Sequence, residues 1–448
     1  MNKHLIAGAA LLLIAGPAFS QEQATLDRIL QEIASLNERV GRLEQDNAQL
    51  RIENVELKAA NDRLEATSEY LKDNAQATRK QLAEEAPKVA EAARVAKGAE
   101  WASRLSWKAD LRYRHENVDA EEAAADQTRQ RIRARLAVTS RINETLTGTI
   151  GLATGGNDPR STNQTLGDGM TRKDIALDLA YVDWTPASGL VLSFGKMPQP
   201  WYKASGFFFD GDITPEGIAA RYASGPVFAT AYGYWLSERS AASDATLLGG
   251  QFGMTGDLGG LKLTGALGYF DVGSVQGEIT TASSSIPCQN NPAFFGGAQG
   301  NSTFLDAAGC QRLLYDFNVI EAQAQAEIAI ADRPLQVFAH YFRNTEADDL
   351  DTGWFAGFNW GRAAGPNSWE FGYAYGVVEK DANFGQFVES DFGGGITDVD
   401  GSVFKVGYVP ARNWLLNGAY YSNSRFVDAP GAVERGYDRY QVDVNWKF

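Results

Sequence analysis

The sequence predicts an all-β transmembrane barrel of 16 antiparallel strands, preceded by an α-helical coiled coil. Three observations carry this: an export signal at the N-terminus, sixteen segments whose polarity alternates with period two, and a last such segment closing on Phe448. Alternation by itself does not say which face meets lipid, because a soluble sandwich alternates too, with its apolar face inward. The export signal, the aromatic residues near strand ends, the strand count and the final strand decide for the barrel.

Residues 1–20 carry Lys3 and His4, an apolar run from Leu5 to Ala15, and the small-residue pattern Ala18-Phe19-Ser20 before Gln21. This is a secretory signal peptide, too short in its apolar core to span a membrane as a helix. Residues 21–85 then step by three and four through Leu26, Ile29, Ile33, Leu36, Val40 and Leu43, and by sevens through Leu50, Leu57, Leu64 and Leu71. That is a heptad register with the leucines at d and with Asn47, Asn54 and Asn61 at successive a positions, where a buried amide sets the alignment between chains. Arg39 with Glu44, Asp46 with Arg51 and Glu53 with Lys58 place opposite charges at g and the following e, favouring parallel chains. The competing reading is a lone amphipathic helix packed on something else. An Ala-rich, charged linker with Pro87 and Gly98 fills residues 86–103.

From residue 104 to 448 the period is two. The expected strands are 104–115, 128–140, 145–153, 173–184, 189–196, 214–223, 226–236, 245–256, 260–270, 316–330, 334–345, 353–362, 368–380, 401–410, 413–424 and 437–448. Short connections alternate with mostly longer ones, as in barrels with tight turns at one end and long loops at the other. An even count brings both barrel termini to the short-turn end, so the coiled coil enters the periplasm. Within the second segment, Arg129, Arg131, Arg133 and Arg135 share one face, and Arg112 and Arg114 join them from the first. An arginine facing hydrocarbon costs about 2–4 kcal/mol at midplane, so this face belongs to water.

The net charge of −15 argues against nucleic acid as a partner. Cys288 and Cys310, the two cysteines of an exported chain, flank a Gly/Asn/Ser-rich stretch and are expected to close it as a disulfide, contributing about 3 kcal/mol. His115 and His340 stand apart, suggesting neither a zinc cluster nor a Ser-His-Asp set. No phosphate-cradling glycine motif is found, and no cofactor or metal is called for. Two acidic groups, Glu116, Asp119, Glu121, Glu122 and Asp126, and Glu346, Asp348, Asp349 and Asp351, read as solvated loops, with divalent cations near lipopolysaccharide as the alternative.

The last segment sets Tyr440, Val442, Val444, Trp446 and Phe448 on one face. It resembles the insertion signal that Gram-negative outer-membrane proteins present to the barrel assembly machinery. Together with the topology of 104–448 and the stretch "FGKMPQPWYKASGFFFDGDITPEGI", it resembles an outer-membrane porin family with an N-terminal coiled coil and a sixteen-stranded barrel, related to general and phosphate-selective porins. The resemblance implies a homotrimer passing small hydrophilic solutes, its third long loop folded inward. Here that loop is Lys196 to Ile213, with Trp201, Tyr202, Lys203, Phe207, Phe208, Phe209, Asp210 and Asp212. Packing the phenylalanines on the inner wall would hide them and bring Asp210 and Asp212 to the lumen. By analogy, the arginine face opposing this acidic loop sets up a transverse field that sorts solutes; the bland reading is a salt-bridge lattice that only stiffens the barrel. A structural tether to peptidoglycan through the coiled coil is the alternative function. An enzyme would need a nucleophile and base on adjacent strand faces, and none is found.

Overall fold

The computed structural model describes residues 21–95, 102–239, 243–280, 288, 297–427 and 433–448. The signal segment lies outside them. The chain divides into two compact units, residues 1–99 and 100–448.

In the first unit, α1 runs from Gln21 to Val95, 75 residues, or about 110 Å at the α-helical rise. It continues through Pro87 and takes in much of the segment expected as a linker; alanine, glutamate and lysine around that proline are strong helix formers. Ile29, Ile33, Leu36, Val40, Leu64 and Leu71 are all exposed on the single chain. No helix among the described residues is apolar enough to cross a membrane, which says nothing of strands.

The second unit is a closed antiparallel barrel of sixteen full-length strands: β1 Leu105–Ala120, β2 Gln127–Arg141, β3 Leu146–Thr154, β4 Ile175–Ala187, β5 Leu190–Lys196, β6 Glu216–Ser224, β7 Val227–Ser237, β8 Ala245–Leu258, β9 Leu261–Gly273, β10 Phe317–Ile330, β11 Arg333–Asn344, β12 Thr352–Gly361, β13 Ser368–Val378, β14 Val399–Ala411, β15 Trp414–Arg425 and β16 Arg435–Lys447. Each pairs with its sequence neighbours, and β16 returns to β1 from Asp110↔Lys447 to Ala120↔Tyr437, which leaves no open edge. Phe448 extends that seam, its N–H donating to the Ala109 carbonyl at 2.9 Å.

Turns such as 188–189, 225–226, 259–260 and 331–332 gather at one end, while 155–174, 197–215, 274–316 and 379–398 are the long loops of the other. Alternation resolves as the arginines demand. On β1, Trp107, Leu111 and Tyr113 are exposed to the outside, whereas Arg114 and Glu116 are buried within. Outward aromatics cluster near strand ends, with Trp107, Trp184, Tyr222, Trp369 and Trp414 towards the short turns and Trp235, Tyr269, Tyr341 and Trp354 towards the loops. Aromatic girdles of this kind sit at the two membrane interfaces.

The barrel is not hollow. A cluster of buried rings, including Trp201, Phe207, Phe208, Phe209, Phe270, Phe342, Phe355, Phe387 and Phe392, fills part of the interior. Glycines make room for it: a Cβ on Gly376 would come within 2.0 Å of the Phe355 ring on the neighbouring strand. The Cys288–Cys310 disulfide is formed within the 274–316 loop.

Candidate functional site

The arginine row owes its position to β2, whose inward face carries every second residue. Pairing of β2 with β1 sets Arg133 opposite Arg112 and Arg131 opposite Arg114. Like charges so close persist only because carboxylates are threaded between them. Asp110 accepts from Arg133 at 2.8 Å and from Arg135 at 2.8 Å. Glu116, fully buried, accepts from Arg129 at 2.8 Å and lies 3.8 Å from Arg131. Asp443 of β16 takes a two-pronged contact from Arg114, at 2.7 and 2.9 Å. Arg112 reaches Asn163 at 2.5 Å and lies 3.8 Å from Asp443.

Loop 197–215 enters the lumen on its rings. Phe207 stacks on Phe355, Phe208 meets Phe270 and Phe342, Phe209 stacks on Phe387, and Trp201 lies against Tyr232 and Phe270. Polar groups then fix its backbone. The Ala204 N–H donates to Gln323 at 2.5 Å, the Tyr202 N–H to Gln251 at 2.8 Å, and the Tyr202 hydroxyl to Gln325 at 2.9 Å. His340 sits beneath, 3.0 Å from the Ser205 hydroxyl and 2.9 Å from Glu321, and nearly sealed from solvent.

The two aspartates of this loop part company. Asp212 faces the arginines, 3.5 Å from Arg135, and accepts from the Thr162 hydroxyl at 3.1 Å. Asp210 was expected at the lumen beside it but is buried, accepting the Asp212 N–H and the Ser390 N–H at 2.8 Å each. Its carboxylate closes a joint between two loops, and that joint takes it out of the water. Lys203 is half-buried on the same loop.

The second partner in that joint, loop 379–398, has no counterpart among the sequence expectations. It too folds inward, burying Phe384, Phe387, Val388 and Phe392. Asp391 accepts from Arg439 and, at 3.2 Å, from Arg114, so the loop reaches across to the arginine wall. Arg160 clamps it from loop 155–174, donating to the Gly395 carbonyl at 2.7 Å. The signal available in the sequence was the ring pattern Phe384, Phe387, Phe392 in a polar loop, the same hazard of exposed rings that marked 207–209.

Charge in these loops is conditioned by burial. Burial pushes the Asp210 carboxyl up to about 7, and burial with Asp391 and Asp210 nearby pushes Glu389 up to about 8. Asp391 is equally enclosed, yet Arg439 and Arg114 hold it well below the usual carboxylate range. Burial lowers Lys203 to about 8, with Asp210 opposing.

Of the other expected residues, Tyr440 and Trp446 lie on the outward face of β16, and Tyr440 stacks on Tyr420. Asn47, Asn54 and Asn61 fall within α1, and their side chains lie outside the described residues. The acidic group expected in the first loop is redistributed. Because β1 runs on to Ala120, Glu116 is a strand residue under the arginines, while Glu121 and Glu122 pair with Arg435 and Arg425. In the second group, Asp351 pairs with Arg343 at 2.7 Å. Among the described residues no set of three or more metal-ligating side chains gathers.

A closed sixteen-strand barrel with an apolar, aromatic-girdled outside and a charged, loop-narrowed inside defines an outer-membrane barrel of the porin class. The family described as "Putative porin" matches residues 117–306 and 298–448, and the chain belongs to it. Among solved structures, the high-pH structure of Pseudomonas putida OprB superposes with a TM-score of 0.53 at 12% identity, covering 78% of this chain and 96% of that one. A loop-deletion mutant of OmpT, an outer membrane protein of Vibrio cholerae, gives 0.46 at 12% identity, with coverages of 77% and 100%. A mutant of the Rhodopseudomonas blastica porin gives 0.44 at 12%, again with 77% and 100%. At this identity the likeness to OprB speaks for the fold alone. No curated protein matches the chain by sequence.

Proposed function

We propose that the chain is a diffusion porin of the outer membrane, passing ions and small hydrophilic solutes through a lumen narrowed by loops 197–215 and 379–398, with preference for anions. One observation carries the selectivity: seven guanidinium groups, the six of β1 and β2 with Arg439, share a lattice with five carboxylates, Asp110, Glu116, Asp212, Asp391 and Asp443. The balance is positive, and in a low-dielectric wall an uncompensated charge acts over the whole bore. Lattice and filter are then the same object, since the ion pairs hold the guanidiniums in place and the surplus faces the solute. Replacing Arg131 and Arg133 together by alanine shifts the reversal potential in a salt gradient towards cations. An unchanged potential removes the selective role and leaves a stiffening lattice.

The exposed apolar residues of α1 support assembly as a homo-oligomer, most simply the trimer that the family resemblance implies, with the coiled coil in the periplasm. Its reach of about 110 Å is long enough for contact with peptidoglycan, so tethering accompanies diffusion as a second role.

A further inference from the structure

We propose that the lumen holds a docking pocket for small aryl carboxylates, separate from the arginine wall and on the short-turn side of loop 197–215; this rests on the porin reading. The pocket measures about 550 Å³. Pro200, Trp201 and Tyr202 roof it, Gly189 of a short turn lies at its far end, and Phe228 forms one wall with its ring 5.7 Å from that of Tyr202. Arg221 and Lys262 supply the polar contacts.

What the pocket asks for follows from which of its polar atoms are already used. Its lining holds two cations and no carboxylate. Asp183, outside the lining, receives Arg221 at 3.2 Å on one oxygen and the Ser193 hydroxyl at 2.5 Å on the other, and within the lining the Gln325 carbonyl receives the Tyr202 hydroxyl. Thr255 and Thr264 satisfy each other at 3.0 Å. Arg221 Nε and the Thr230 hydroxyl have no partner but are closed off from the pocket by burial. Lys262 makes no ion pair among the described residues, since Glu327 opposite it lies 3.5 Å from Arg362 instead. Two cations therefore face the pocket, Arg221 with its side chain 43% exposed and Lys262 exposed, and an anionic acceptor suits them. A flat aromatic ring matches the wall of Trp201, Tyr202 and Phe228, and a carboxylate carried on it meets the two cations.

The test uses refolded full-length protein in planar bilayers, with benzoate, glucuronate, benzyl alcohol and glucose added in turn, and calorimetry of the same ligands on protein in detergent. Benzoate is expected to interrupt the current and to bind with measurable heat, the other three at least about tenfold more weakly. Arg221→Gln and Lys262→Gln each weaken benzoate about tenfold, the loss expected for one charge-assisted contact, and Phe228→Leu weakens it independently of charge. Any current through a variant certifies that it has folded. Absence of benzoate binding, or binding unchanged in both charge variants, overturns the pocket; glucuronate as strong as benzoate overturns its aryl preference. A protein that binds benzoate but never conducts tells against the porin reading instead.

Discussion

Asp391 is the residue on which the charged lattice turns. It accepts from Arg439 and Arg114, both almost wholly buried, and it belongs to a loop rather than to the wall. Removing it leaves Arg439 without an ion pair among the described residues and Arg114 held by Asp443 and, more distantly, Glu116, and a buried charge stripped of its partner costs about 3–5 kcal/mol. Asp391→Ala should therefore lower the temperature at which the folded barrel loses its compact electrophoretic mobility, with Asp391→Asn falling between it and the parent. The arginines themselves were legible in the sequence, because a period of two needs only one strand to be read. Their partners were not: Asp391 and Arg114 stand 277 residues apart, and no local pattern joins them. Glu116 was hidden differently, inside an acidic run that looked like a loop.

At the scale of elements, strands and loops divide in the same way. Each strand announces itself through alternation and turn residues, so all sixteen could be placed, whereas the path of a loop is set by what it lands on. Rings at 207–209, and equally at Phe384, Phe387 and Phe392, told that both loops must be covered; nothing local said that each would cover the other. That shared joint should respond to proton concentration. Asp210 and Glu389 hold protons when docked that they would lose in water above about pH 4. Docking is therefore fully favoured below that point and weakens as the pH rises through about 7 for Asp210 and about 8 for Glu389. Current fluctuations should grow between pH 5 and pH 9 as the ionised pair repels Asp391. Glu389→Gln should flatten that dependence, and an unaltered pH curve would show that the joint does not gate the flow. In α1, helix propensity carried the chain past Pro87, where composition alone had suggested a linker.

For the barrel as a whole, the charged lining and the apolar outside belong to different faces of one sheet. In the proposed oligomer the heptads set the register between chains. Deleting residues 22–85 should leave conductance per barrel in place while lowering the oligomer mass in detergent, read by analytical ultracentrifugation. Envelope blebbing in cells carrying that deletion would add the tethering role, and its absence would remove it.

All of this depends on water filling the side of the sheet that bears the arginines. The two cysteines of the chain are bonded to each other, so a new thiol can be read without background. A membrane-impermeant thiol reagent applied to refolded protein in lipid bilayers should label Arg133→Cys and cut its current, while leaving Leu267→Cys on the outer face unlabelled. Labelling at position 267 with protection at 133 would contradict the aqueous lumen.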